Sequence, residues 1–306
     1  MRRMVAGRIA FAVLLCAVMP FAPAQIELRS DIGGALTPQQ IAANRMRTAL
    51  NRLAAEAAAY AQLAPQVTGE ETLRLRVLKP PPKFKPRIGD AATKPPQPQW
   101  VDRAIISLYA LSLLGGSLHE IRQVMFVDGR KVQDERRAQR TLTELVTGGA
   151  DQQKYASIKQ LQKYTLGPAA VDFGPLILLF TQRGQERYEF TPVGPRALGT
   201  VASYAYRFRQ LDGTEGFTLF AGLTRQLRLE GEVWISDDPQ GPIRISLGVD
   251  VPKSQPATRE EAEVDYARSA FGALLPLQIE QREVHGPDIA SENFFNYGNF
   301  QKLPGR

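Results

Sequence analysis

The sequence predicts a mainly β (α+β) chain, one large curved antiparallel sheet with covering helices and a separate N-terminal helix. Three observations lead there. Residues 72–78 alternate strictly, with Leu73, Leu75 and Val77 on one side and Arg74 and Arg76 on the other, as in a strand with one wet face. From residue 176 nearly every segment reads as strand, with turn signals about every 8 to 12 residues and no repeat period. Helical spacing is confined to two places, residues 37–65 and 135–165.

The first 24 residues are read as an export signal. Arg2, Arg3 and Arg8 precede an apolar run over 9–21, and Ala22-Pro23-Ala24 supplies small residues for cleavage. The run is too short to span a bilayer, which needs roughly 20 residues. Cleavage after Ala24 predicts that N-terminal sequencing of the exported protein starts at or near Gln25. Cys16, the only cysteine, leaves with the signal, and Leu15 before it does not suit lipidation. The mature chain of 282 residues (306 − 24) then has no disulfide or thiolate. Its charge is +4, three of the +7 having left, a mild excess that does not suggest a nucleic-acid partner. No later segment is apolar enough to cross a membrane, so a periplasmic or secreted location is expected.

Three parts are expected: the signal 1–24, an N-terminal segment 25–66, and a sheet domain 67–306. In the second, Thr37-Pro38-Gln39-Gln40 opens a helix, with Thr37 as cap, Pro38 at the first helical position and Gln40 completing a capping box. Met46, Leu50, Leu53, Ala57 and Tyr60 share a face, and Pro65 marks the end. Residues 79–100 hold seven prolines and five basic residues and read as an extended excursion, too poor in apolar residues to offset its ordering entropy. Replacing 79–94 with a short Gly-Ser linker is expected to leave the melting temperature within a few degrees. Strands follow at 105–114 and 121–127, then the Asp128-Gly129 turn. The insertion 135–165 contains two helices, one with Leu142, Leu145 and Val146, the other with Tyr155, Ile158 and Leu161. The apolar run 176–180 reads as a buried strand, followed by strands at 201–210, 217–220, 227–235, 243–249, 263–268, 274–284 and 289–300.

No constellation of catalytic residues emerges. His119-Glu120 lacks the second histidine of a zinc-protease helix, Gln123 standing there, and reads as surface strand. His285 lies beside a Gly286-Pro287 turn. Gly115-Gly116-Ser117 is a turn and not a nucleophile elbow. Asp237-Asp238 and Glu260, Glu261, Glu263 and Asp265 read as a turn and the wet face of a strand. The basic tract 74–94 reads as a solvated loop that could touch an anionic surface. No enzyme activity, metal or cofactor is expected.

Gly231-Glu232-Val233-Trp234-Ile235-Ser236-Asp237, followed by Pro242-Ile243-Arg244-Ile245, resembles a hairpin of exported half-barrel proteins. With Val264-Asp265-Tyr266, Leu274-Leu275-Pro276, the Asn296-Tyr297-Gly298-Asn299-Phe300 strand and the Val127-Asp128-Gly129-Arg130 turn, it is similar to the periplasmic lipoprotein-carrier (LolA/LolB-like) superfamily, and closer to an uncharacterised bacterial group within or beside it. The resemblance spans roughly residues 71–300 and implies an incomplete barrel wrapped around helices, with an apolar concavity able to hold acyl chains. The N-terminal helix, the proline-rich excursion and the long helical insertion depart from that pattern. The candidate ligand-lining residues are Leu142, Leu145, Ile158 and Leu161 on the helices and Leu73, Leu75, Val233 and Ile235 on the sheet. The expected partners are a lipid or lipoprotein acyl chain, or an envelope protein bound to a sheet over a filled core.

Overall fold

The computed structural model describes residues 36–81, 97–166, 172–213, 228–251 and 258–303. The proposed signal and the expected strand 217–220 lie outside these residues. Helix α1 (Pro38–Leu63) begins as the sequence indicates, with Thr37 and Gln40 forming a reciprocal capping box. Strands β1 (Val67–Lys79), β2 (Gln99–Leu114), β3 (Ser117–Val127) and β4 (Arg130–Lys131) come next. Asp128 (φ 49°) and Gly129 (φ 74°) make the β3–β4 turn in the left-handed region that such a tight hairpin requires. Helices α2 (Glu135–Gly148) and α3 (Asp151–Leu161), a 3₁₀ helix (Gly174–Phe180) and the short α4 (Gln182–Gln185) follow. The chain ends in β5 (Tyr188–Leu198), β6 (Val201–Gln210), β7 (Glu230–Ser236), β8 (Ile243–Val251), β9 (Thr258–Arg268), β10 (Leu274–His285) and β11 (Asp288–Lys302).

The eleven strands of the described residues form one antiparallel sheet in the order β4-β3-β2-β1-β11-β10-β9-β8-β7-β6-β5. β1 pairs with the last strand, so the two halves of the meander join at the centre, while the terminal strands β4 and β5 stay unpaired with each other. The sheet is an incomplete barrel.

Three sequence expectations change. The run 176–180 is not a strand but part of the 3₁₀ helix, whose Leu176, Ile177 and Phe180 are fully buried. A short continuous apolar run has no period to distinguish the two, and Pro175 suits a helical first turn. β5 was not evident because Pro192, Gly194 and Pro195 interrupt it; prolines are tolerated there because β5 is an edge strand. The proline-rich excursion is shorter than 79–100, since Leu78 pairs with Trp100 and Lys79 with Gln99. Arg76 lies 4.9 Å over the Trp100 ring and helps extend this hairpin stem.

The core has two parts on opposite faces of the sheet. The larger fills the concave face, where α1 and the 3₁₀ helix pack against β1 and β5–β11. The smaller lies on the outer face of β2 and β3, where Ala138, Leu142 and Val146 of α2 meet Leu108, Ala110, Ile121 and Met125. Period-2 alternation divides the strands: Tyr109 and Leu111 face in, Leu108 and Ala110 face out. Helix α3 runs beside β3, with Ile158 against the outer cluster, Leu161 in the inner one, and the Ser157 hydroxyl donating to the Arg122 carbonyl at 3.2 Å.

Candidate functional site: the concave face of the sheet

The concave face is organised around one cross-strand row. Ile105, Leu73, Phe295, Ile279, Val264, Ile245, Val233 and Tyr206 are successive register partners on β2, β1, β11, β10, β9, β8, β7 and β6. All are buried members of the larger core. Directly opposed residues in antiparallel pairs bring their side chains close, so the row is a continuous apolar band across the half-barrel.

One end of this face is closed by helices. Arg52 of α1 donates to the carbonyls of Ser236 and Gly241 in the β7–β8 turn, at 2.6 and 2.5 Å. Arg45 pairs with Asp237 at 2.6 Å, and Glu56 pairs with Arg268 at the end of β9. The 3₁₀ helix is tied to the sheet through one hydroxyl: Tyr266 Oη accepts from Ile177 N at 3.0 Å and donates to the Gly174 carbonyl at 2.9 Å. Phe180 packs edge-on against Phe208, with 5.0 Å between centroids.

Beside that plug sits a buried ionic cluster. Arg122 on β3 donates through Nε to both oxygens of Glu71 on β1 at 2.8 Å, and through Nη2 to Glu120 at 2.7 Å. The three side chains are 3, 0 and 1 % exposed, so their charges are compensated almost entirely by one another. Burial opposes the arginine's charge, but Glu71 and Glu120 outweigh it and raise its pKa. Glu120 also accepts from Gly174 N at 3.1 Å, tying the cluster to the 3₁₀ helix. Asp172, held at φ 108°, accepts from the Glu120 backbone N–H at 2.7 Å and meets His119 Nδ1 at 2.6 Å. The hydroxyls of Tyr60 and Tyr109 are buried beside each other, and that of Ser107 is buried with no hydrogen-bond partner among the described residues; Tyr109 stacks edge-on with Tyr297, and Ser107 pairs in register with Glu71.

These charges bear on stability. Burial pushes the Glu120 carboxyl up to about 7, against Arg122 and with help from Asp172 and Glu71. Burial and the neighbouring Glu283 push Glu260 up to about 7. The Asp172 hydrogen bond raises His119, against its burial. All three groups bind a proton more tightly in the folded chain, so their contribution is fully present below the unfolded values. It fades from about pH 4.5 upward for the carboxyls and from about 6.5 for the histidine. Urea melts are expected to show about 2 kcal/mol less stability at pH 8 than at pH 5, after discounting for coupling among the groups. Glu120→Gln should flatten part of that slope. A profile that rises over this interval contradicts the assignment.

The candidate ligand residues fall into two places. Leu73, Leu75, Val233, Ile235 and Leu161 lie in the core of the concave face. Leu142, Leu145 and Ile158 do not join them; they belong to the cluster on the outer face. This corrects the expectation that the 135–165 helices roof the concavity: the outward residues of β2 and β3 are themselves apolar and bury against α2. The ionic cluster escaped the sequence reading. Its one signal was Glu71, which shares the period-2 face of Leu73 and Leu75. His119 is a partly buried partner of Asp172 and not a free surface residue. Of the acids 260–265, Glu261, Glu263 and Asp265 face out, while Glu260 shares the inward face of Ala262 and Val264.

A groove of about 590 Å³ lies on the other face of the sheet, lined by Arg207, Arg209, Glu230, Glu232, Arg259 and Glu261 among others. Arg259 there is bonded to Asp250 at 3.0 Å and to Glu261 at 3.2 Å. Among the described residues no group of three or more His, Cys, Asp or Glu is placed to hold a metal ion, and no helix is long and apolar enough to cross a membrane.

No known family profile and no curated protein matches the sequence. Among solved structures the chain is similar to a putative outer membrane lipoprotein-sorting protein domain from Vibrio parahaemolyticus, with 10% identity, a TM-score of 0.36, and 85% of this chain and 94% of that one covered. It is similar to a DUF1329 family protein from Desulfovibrio piger, with 8% identity, a TM-score of 0.31 and coverage of 84% and 95%. A LolA superfamily protein from Nitrosomonas europaea matches with 9% identity, a TM-score of 0.28 and coverage of 83% and 93%.

Proposed function

We propose that this chain is an exported, non-catalytic binding protein of the cell envelope that holds a lipid, an acyl chain or another apolar ligand against the concave face of its sheet. The observation that carries the reading is the apolar row from Ile105 to Tyr206, closed by α1 and the seven-residue 3₁₀ helix and not by a second sheet. A 3₁₀ helix of seven residues, anchored through Tyr266 and Glu120, can withdraw without breaking any strand pairing. The ligand then takes the place of Leu176, Ile177 and Phe180 in the inner core. Burying hydrocarbon contributes about 0.8 kcal/mol per methylene, so ten methylenes supply roughly 8 kcal/mol gross, from which the cost of displacing the 3₁₀ helix is subtracted. Leu73, Leu75, Val233, Ile235 and Leu161 are the proposed contacts.

The test uses the chain without residues 1–24, titrated with diphenylhexatriene, a neutral dye that fluoresces in apolar surroundings, and analysed by mass spectrometry for lipid carried through purification. Saturable dye binding is expected, weakened several-fold by Val233→Ala. No dye binding and no bound lipid would reject the reading. A second reading, an interaction protein with a filled core, is favoured by the groove on the outer face, and that result would support it.

A further inference from the structure

The concave face carries a second polar group, at the end away from α1. Turns β7–β8 and β9–β10 lie at the α1 end, so the β10–β11 turn and the β1–β2 connection leave from the other. There Ser291 pairs with Glu283 and Glu283 with Glu260, and one step further in, Asn293 pairs with Gln281. All of these face inward, in the alternation of Phe295, Ile279 and Val264. Gln281 Nε2 donates to Glu260 Oε2 at 2.7 Å, and Asn293 Nδ2 donates to Gln281 Oε1 at 2.5 Å. Gln281 and Asn293 are each 3 % exposed, and Asn293 Oδ1 has no partner.

This chain of amides leaves buried acceptors among its unused groups. Asn293 Oδ1 accepts nothing, Glu260 keeps an oxygen beyond the one bound by Gln281, and the nearby Glu283 carboxyl has His285 Nε2 at 2.6 Å. The cations of neighbouring strands are engaged elsewhere. Arg103 donates to the Tyr164 carbonyl at 2.9 Å, and Arg259 and Arg282 pair with acids on the outer face. A buried acceptor without a partner, linked through Gln281 to the Glu260 carboxyl, is complemented by a ligand that brings donors and positive charge.

We propose that this end of the concave face is a head-group subsite, and that the ligand is an amphiphile with a primary ammonium head and its chain along the row Phe295–Ile279–Val264. The proposal rests on the apolar-ligand reading and adds the class of head. The raised pKa of Glu260 agrees with it, since a cation bound there restores the ionised carboxylate.

The experiment is displacement of diphenylhexatriene by dodecylammonium, dodecanol and dodecanoate, each below its micelle concentration, at about pH 7.5, where amine and carboxylate are both charged. Dodecylammonium is expected to displace the dye at about one tenth the concentration of dodecanoate or less, with dodecanol between them. Glu260→Gln, nearly isosteric, and Asn293→Leu should bring the three within about twofold while dye affinity holds; Glu189→Gln on the edge strand should keep the wild-type ratio. Should Asn293→Leu fail to fold by circular dichroism, Glu260→Gln decides alone. Dye binding with no head preference, or with dodecanoate favoured, overturns the subsite and leaves the apolar-ligand reading standing. Absence of any dye binding overturns both.

Discussion

Replacing Arg122 with methionine is expected to cost about 3–5 kcal/mol in urea melts at neutral pH. The substitution keeps much of the side-chain volume but removes the charge that Glu71 and Glu120 share. Those carboxylates are 0 and 1 % exposed, and burial leaves water little part in replacing the lost partner. Glu120 keeps the Gly174 N–H, while Asp172 brings another negative charge that opposes its ionisation. The remaining route is protonation, so the loss should shrink at pH 5. Combining Arg122→Met with Glu71→Gln and Glu120→Gln should recover most of the stability, because the cost lies in unpaired charge and not in the absence of an ion pair. An Arg122→Met variant within about 1 kcal/mol of the parent at pH 7 would show that the cluster is hydrated.

Leu142→Ala and Leu73→Ala are expected to lose similar stability and to differ in binding. Both residues are 0 % exposed, so each should fall in the roughly 2–5 kcal/mol range of buried leucine truncations. Leu142 packs among Leu108, Ala110, Ile121, Ala138 and Val146 on the outer face, and its truncation should leave diphenylhexatriene affinity within about twofold once folding is accounted for. Leu73 stands in the concave row between Ile105 and Phe295, and its truncation should weaken the dye several-fold. Equal effects of the two variants on dye binding would mean that the ligand does not use the concave face.

The division of the molecule into sheet and helices was readable from residue order. The capping box at Thr37 and Gln40 and the left-handed Asp128-Gly129 turn are local devices, requiring only neighbours within a few positions, and both stand as expected. Most strands were readable because one face is dry and the other wet, which writes a period of two into the chain. The run 176–180 was not, since residues buried on every side carry no period, and β5 was not, since its prolines are acceptable only on an edge that sequence does not reveal.

What lies opposite a side chain is decided by register between strands far apart in sequence. Glu71 meets Arg122 across β2, and Gln281 meets both Asn293 and Glu260, pairings that no local spacing encodes. The same holds for the helices of residues 135–165. Their apolar stripes show that they must pack on something, but β2 carries apolar residues on both faces, and it is the outer one, with Ile121 and Met125 of β3, that α2 covers. Sequence determined which residues seek burial; tertiary structure decided in whose company, because burial is a property of single side chains and pairing is a property of the whole sheet.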